Sequence, residues 1–295
     1  MITSTLAPPR TAGASDWVLL ILPGLIWGAS FLFIAESLRA IAPNGVTFVR
    51  IAVGFATLSL IPAARRPLRR PDRWKGVALA VVWMAFPLSM FPFAEQHVSS
   101  ALTGMMNGAT PLFAAGVASI LARRPPARAV AIGLAVGFGG AVLIALPGMM
   151  APDLEGAPHQ SIGIALILAA LTSYGVAINL ARPLQQRNGA LPVVWNALAV
   201  AVILTAPLGL PEVLRANWSP TPLAALLTLG AFGTGIANVL AATAAGRMGA
   251  TRASSTTFLM PVVALVLGVV FRHEHVAVVS MLGAAVCLTG AWLIR

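Results

Sequence analysis

Residues 133–144 read GLAVGFGGAVLI, and residues 283–294 read GAAVCLTGAWLI. At an offset of 150 positions, seven of the twelve residues are identical, two of them glycines. The same offset sets Pro111 against Pro261 and Ala114 against Ala264. The stretch SSTTFLMPVVALVLG (254–268) thereby echoes the proline-centred stretch SSALTGMMNGATPLF (99–113). Near the start of each half, WGASF (27–31) faces YGVAI (174–178) at an offset of 147. The chain is an internal duplication, and its architecture depends on what each copy contains.

Composition sets the solvent. Of 295 residues, 58% are hydrophobic and 9% charged, with a mean hydropathy of +0.89. A soluble domain carries about 25% charged residues to cover its surface, so this chain belongs with the lipid bilayer as its partner. The net charge of +11 does not point to nucleic acid, because no soluble domain is visible to carry a basic patch. Basic residues in a membrane protein mark cytoplasmic loops. The one cysteine, Cys287, lies in an apolar run, which leaves no disulfide within the chain and no cysteine metal site. No basic segment directly precedes an apolar run at the N-terminus, so residues 1–15 read as a short cytoplasmic tail rather than a signal peptide.

Runs of about 20 apolar residues are long enough to span a bilayer. Pro, Gly and Arg clusters cut the chain into ten: 16–38, 44–63, 73–94, 99–121, 127–147, 161–181, 191–211, 220–244, 250–271 and 276–294. The expected fold is an all-α integral membrane protein of ten transmembrane helices. Residues 16–147 form a first five-helix repeat, 148–160 an outer linker and 161–295 a second repeat. Five is odd, so the second copy enters the membrane inverted, as in many secondary transporters. With both termini inside, fifteen basic residues fall in cytoplasmic segments and three, Arg39, Arg215 and Arg272, in outer ones, a strong positive-inside bias. Arg-dominated basic residues with abundant Ala and Gly suggest a bacterial source, hence an inner-membrane location. Trp17, Trp74, Trp218 and Trp292 sit at expected span ends, where indole rings anchor at the interface.

Sites in inverted repeats form where the halves meet near the midplane, at Pro- or Gly-interrupted helices. Pro111 lacks an N–H and frees the carbonyl one turn back, at Asn107. Asn107 lies about 12 Å into its helix, where it either joins helices by a hydrogen bond or lines a cavity. Pro87 and Pro92 should kink the third helix and Pro261 the ninth. The candidate binding residues near midspan are Trp27, Ser30, Trp83, Met90, Met106, Asn107, Tyr174, Asn179, Asn238, Ser254 and Thr257. Each has a structural alternative: the tryptophans pack, the methionines fill gaps, and Asn179 and Asn238 join helices. No Asp, Glu, Lys or Arg falls at midspan, which argues for neutral or zwitterionic cargo. Arg50, Glu36 and Glu95 lie near the outer ends of helices 2, 1 and 3. Either a carboxylate pairs with Arg50 to help close an outer gate, or Arg50 snorkels to the headgroups.

WGASF in helix 1, FVR (48–50) in helix 2, EQHVSSALTGMMNGATPLF (95–113) across helices 3–4 and AAGRMGATRASSTTFLMPVVALVLGVVFRHE (244–274) across helices 8–9 resemble the drug/metabolite transporter superfamily. Within it, the order and spacing are similar to the ten-helix EamA-type family, and the aromatic pattern to bacterial aromatic amino-acid exporters of the YddG type. The resemblance implies an exporter of small metabolites, amino acids among them, with both termini cytoplasmic. One departure is that ARRPP (122–126) stands where such proteins carry a Gly-Glu pair, although the second half keeps Glu274.

An intramembrane enzyme would need paired catalytic groups. The four histidines, His97, His159, His273 and His275, all lie near outer loops, and no HExxH or GxSxG occurs. HEH (273–275) reads as solvated rather than as a metal site, and no cofactor is implied. The expected function is alternating-access export of a small molecule, with proton-coupled efflux of drugs or other metabolites as the alternative. Without a midspan carboxylate or histidine to relay protons, export driven by the substrate gradient is expected.

Overall fold

The computed structural model describes residues 14–123, 125–150, 160–248 and 254–294, with only the backbone at 14, 15, 148, 149, 254 and 255. Most of the N-terminal tail, most of the 148–160 linker and the Ser254 side chain therefore lie outside the described residues. The regular elements among those residues are all helices, with no strand; in a bilayer every backbone polar group must be satisfied internally, and a helix does so within its own segment.

Each apolar run becomes one helical stretch. These are α1 (Ala14–Ser37), α2 (Pro43–Ser59), α3 (residues 73–94), α4 (100–122), α5 (Arg128–Met150), α6 (Gln160–Asn188), α7 (Ala190–Leu214), α8 (220–248), α9 (254–272) and α10 (Val278–Leu293). Six of them, α1, α3, α5, α6, α7 and α8, are long and apolar enough to cross a membrane outright, and α4 makes a seventh if its two bent parts count as one span. The stretches α2, α9 and α10 are shorter, at 14 to 17 residues of α-helix. Trp17, Trp74, Trp218 and Trp292 are exposed.

The packing obeys the two-fold relation that the repeat requires. Helix α1 packs on α8 and α9, and its counterpart α6 packs on α3 and α4; α2 meets α7, α4 meets α9, and α5 meets α10. The irregularities repeat as well. Helix α3 turns π-helical over Ala80–Ala85 and α8 over Leu229–Ile236. Helix α4 ends on Arg123 (φ 50°) and α9 on His273 (φ 53°), both left-handed and 150 positions apart.

The repeated GLAVGFGGAVLI segment is the seam between α5 and α10. A Cβ on Gly140 would fall 2.7 Å from both Cys287 Cα and Gly283 O, and one on Gly283 would fall 2.6 Å from Ile144 N. Only glycine lets the backbones approach this closely. Ser280 Oγ donates to Ile144 O across the same seam, at 2.9 Å.

Helix α4 bends by 41° between Ser100–Asn107 and Thr110–Ala122. The carbonyl that Pro111 deprives of its N–H is used: Thr110 Oγ1 donates to Asn107 O at 2.7 Å. In α3 the π-helical stretch immediately precedes Pro87, while Pro92 lies inside the following helical segment. Pro261 lies in the first turn of the α-helical part of α9, just after its 3-10 opening Ser254–Phe258.

Candidate functional site: a central cavity between the repeats

A cavity of about 240 Å³ lies among α1, α2, α3, α4, α6, α8 and α9. The seam helices α5 and α10 take no part in its described wall. Of the candidate residues, Trp27, Ser30, Trp83, Asn107, Tyr174, Asn238 and Thr257 come together on that wall.

The two π-helical stretches shape the site, because a π-turn displaces carbonyls from the regular ladder and offers them sideways. Trp27 Nε1 donates to Gly233 O in the α8 stretch at 3.0 Å. Ser173 Oγ in α6 donates to Val82 O in the α3 stretch at 2.7 Å. The two bonds occupy related places in the two halves, and each ties one half to the other. They also fix where Trp83, Gly233 and Thr234 meet the cavity.

An aromatic chain forms one side. Phe31 meets Phe91 edge-on at 5.6 Å between centroids, and Phe91 meets Tyr174 at 6.0 Å. Ser30 Oγ donates to Ile26 O within its own helix, and Asn238 Nδ2 does the same to Thr234 O.

Other candidates face elsewhere. Met106 is buried in the apolar core and Met90 packs against that core. Asn179 Nδ2 donates to Ala114 O of α4 at 2.9 Å and to Gly175 O at 2.8 Å, so it joins helices. Phe31, Phe91, Thr110, Thr234 and Met260 line the cavity without having been singled out from the sequence. Helical position alone does not give the direction of a side chain.

Arg50 departs most from expectation. It lies on the cavity wall, only 5% exposed. Its Nε donates to Thr234 Oγ1 at 3.0 Å, and no described carboxylate stands within 4.0 Å of its guanidinium. Neither of the expected gating carboxylates pairs with Arg50. Glu36 pairs with Arg39 at 2.8 Å and stands 3.8 Å from Arg272. Both carboxylate oxygens of Glu95 are buried, and neither accepts a hydrogen bond from a described residue. Glu95 follows the end of α3, and burial pushes its carboxyl well above the usual range; Glu274 adds to the shift, while Arg272 and Arg50 oppose it.

The remaining described acids are committed to structure. Glu274 accepts from Ser100 N (3.1 Å), Ser100 Oγ (2.8 Å) and Ala101 N (2.9 Å) at the start of α4. Glu212 accepts from Gly45 N (2.6 Å) and Asn44 Nδ2 (2.8 Å) at the start of α2. Negative charge is favourable at a helix N-terminus. At the opposite end of the bundle Asp72 receives Arg187 through two nitrogens, at 2.8 and 3.2 Å, together with Asn188 at 2.9 Å, and Asp16 pairs with Arg247 at 3.0 Å. No Asp or Glu is among the described residues of the cavity wall.

Comparison with known proteins agrees with this architecture. An uncharacterized transporter of Archaeoglobus fulgidus is 22% identical over 94% of this chain and 98% of its own. A probable terminal-alkyne amino-acid exporter of Streptantibioticus cattleyicolor is 25% identical over 94% of this chain and 92% of its own. One solved crystal structure shares the fold with a TM-score of 0.64 at 19% identity, covering 96% of each chain. The EamA-like transporter family matches twice, over residues 16–146 and 161–295, once for each repeat. The chain is a multi-pass membrane transporter and belongs to the EamA-like transporter family of the drug/metabolite transporter superfamily.

Proposed function

We propose that the protein exports small metabolites, amino acids with apolar or aromatic side chains foremost, by alternating access. The observation that carries this reading is the cavity at the meeting of the two repeats. It combines the aromatic surfaces of Trp27, Trp83, Phe91 and Tyr174 with a few polar groups, the usual make-up of a small-molecule site. The amino-acid exporter among the relatives supports the same substrate class. The basic-residue asymmetry supports both termini being cytoplasmic, and the Arg-dominated, Ala- and Gly-rich composition supports a bacterial inner-membrane setting. In that orientation Glu36, Glu95, Glu212 and Glu274 mark the outer end, and Asp16 and Asp72 the inner end. Substrate leaves when the halves rock about the cavity and exchange which end is open.

Purified protein in liposomes preloaded with radiolabelled amino acids tests this. Efflux of apolar or aromatic amino acids above empty liposomes is expected, with altered half-saturation in Trp83→Ala and Tyr174→Ala. Absence of flux for every amino acid in the panel overturns the reading.

A further inference from the structure

The cavity contains a cation with no carboxylate of the described residues within 4.0 Å. Arg50 enters from α2 and is held at one edge by Thr234, in the π-helical stretch of α8. That bond uses Nε. The two η nitrogens donate no hydrogen bond to a described residue. A guanidinium stays charged even when buried, and a buried charge requires a partner of opposite sign. The acids described elsewhere in the chain are committed at the two ends of the bundle, and Glu95 stands outside ion-pair distance. The open place for a counter-charge is the cavity itself.

We propose that Arg50 binds the carboxylate of the cargo, so that the transporter selects organic monocarboxylates, and that an ammonium group contributes little to recognition. This rests on the cavity being the cargo site. The planar fork of a guanidinium matches a carboxylate with two parallel N–H···O bonds. Thr234 holds the guanidinium at Nε and leaves the η edge available. Around it, Trp27, Trp83 and Tyr174 supply surface for an apolar side chain. Nothing anionic on the described wall would receive an ammonium, and the charge on Arg50 repels one. An amino acid therefore binds through its carboxylate. The same molecule without its amino group fits nearly as well, and the corresponding amine does not.

The test measures binding and transport separately. Trp27 and Trp83 line the cavity, so quenching of intrinsic fluorescence in detergent or nanodiscs reports occupancy without requiring flux. The probes are phenylalanine, 3-phenylpropionate, 3-phenylpropanamide and phenethylamine. In the unsubstituted protein, phenylalanine and 3-phenylpropionate should bind within several-fold of one another, and the amide and amine at least tenfold more weakly. Arg50→Gln should weaken both carboxylates at least tenfold while leaving the weak amide unchanged, which separates loss of the anchor from loss of fold. Arg50→Lys, which keeps the charge and loses the fork, should fall between.

Amine or amide binding on a par with the carboxylates overturns the proposal, as does carboxylate affinity unchanged in Arg50→Gln. Absence of binding by all four probes overturns it too. Carboxylate binding that depends on Arg50, without flux in liposomes, upholds the anchor and overturns the export reading. Flux of amino acids indifferent to Arg50 does the reverse.

Discussion

Replacing Gly140 by alanine should open the α5–α10 seam. The added Cβ would sit 2.7 Å from Cys287 Cα and from Gly283 O, where ordinary contact begins at 3.4 Å. Cys287 N lies closer still, all three obstacles are backbone and cannot rotate away, and the helices must part by more than roughly 0.7 Å. A gap of that size forfeits about a quarter to a half of the dispersion attraction between facing atoms, and overpacking of this kind costs about 1–3 kcal/mol. The Ser280–Ile144 hydrogen bond, 2.9 Å long, would stretch beyond its useful range, at a further cost of about 1 kcal/mol. A control lies next to it, because a Cβ on Gly139 meets nothing within 4 Å. Thermal unfolding in detergent should therefore show Gly140→Ala clearly destabilised and Gly139→Ala at or slightly above the unsubstituted protein. The seam lies apart from the cavity, so substrate affinity at a temperature where both variants are folded should be unaltered. Equal melting temperatures for the two variants would refute the close-approach argument.

Glu95 should make transport sensitive to pH at the outer end without harnessing a proton gradient. Its raised affinity for a proton means that the buried carboxyl stays neutral at pH values where an exposed glutamate, near pKa 4.3, is ionised; opening to water would release that proton. Acidification outside therefore favours the sealed form and slows efflux, and Glu95→Gln should flatten the profile. An unchanged pH profile in that variant, or uphill accumulation that follows an imposed gradient, counts against the idea. For topology, cysteine at Arg69 should be shielded from an impermeant thiol reagent in intact cells, and cysteine at Glu155 should react. The reverse labelling pattern would overturn the orientation.

Hydropathy located the helical stretches because in lipid the periodic face hardly matters and length dominates. The duplication was visible because the seam needs glycine in both copies, at Gly133, Gly140, Gly283 and Gly290. The role of Pro111 was equally legible, since a missing N–H has one carbonyl to leave unpaired, at Asn107. The π-helical stretches were not. Ala80–Ala85 contains neither glycine nor proline; it receives a tertiary bond from Ser173, as Leu229–Ile236 does from Trp27, each donor far away in sequence. The direction of side chains was also hidden. Met106 and Asn107 are neighbours, yet successive residues turn by about 100° around a helix, and only Asn107 reaches the cavity. Arg50 looked peripheral by depth alone, and its contact with Thr234 across the two halves could not be read from α2.

The duplication is imperfect where it matters to the direction of traffic. Glu212 and Glu274 of the second copy hold the N-termini of α2 and α4, whereas the positions facing them in the first copy, at the offsets of 147 and 150, are Arg65 and Arg124. Exact pseudo-symmetry would give the inward- and outward-facing forms equal energies and identical kinetics from either side. These unequal fastenings lift that degeneracy. A passive carrier still obeys the Haldane constraint: the ratio of maximal rate to half-saturation concentration is the same in both directions. In a carrier driven by the substrate gradient, as expected from the sequence, the imbalance would appear as a high-affinity, slow face and a low-affinity, fast face, and the dwell time in each form would set how far apart they lie.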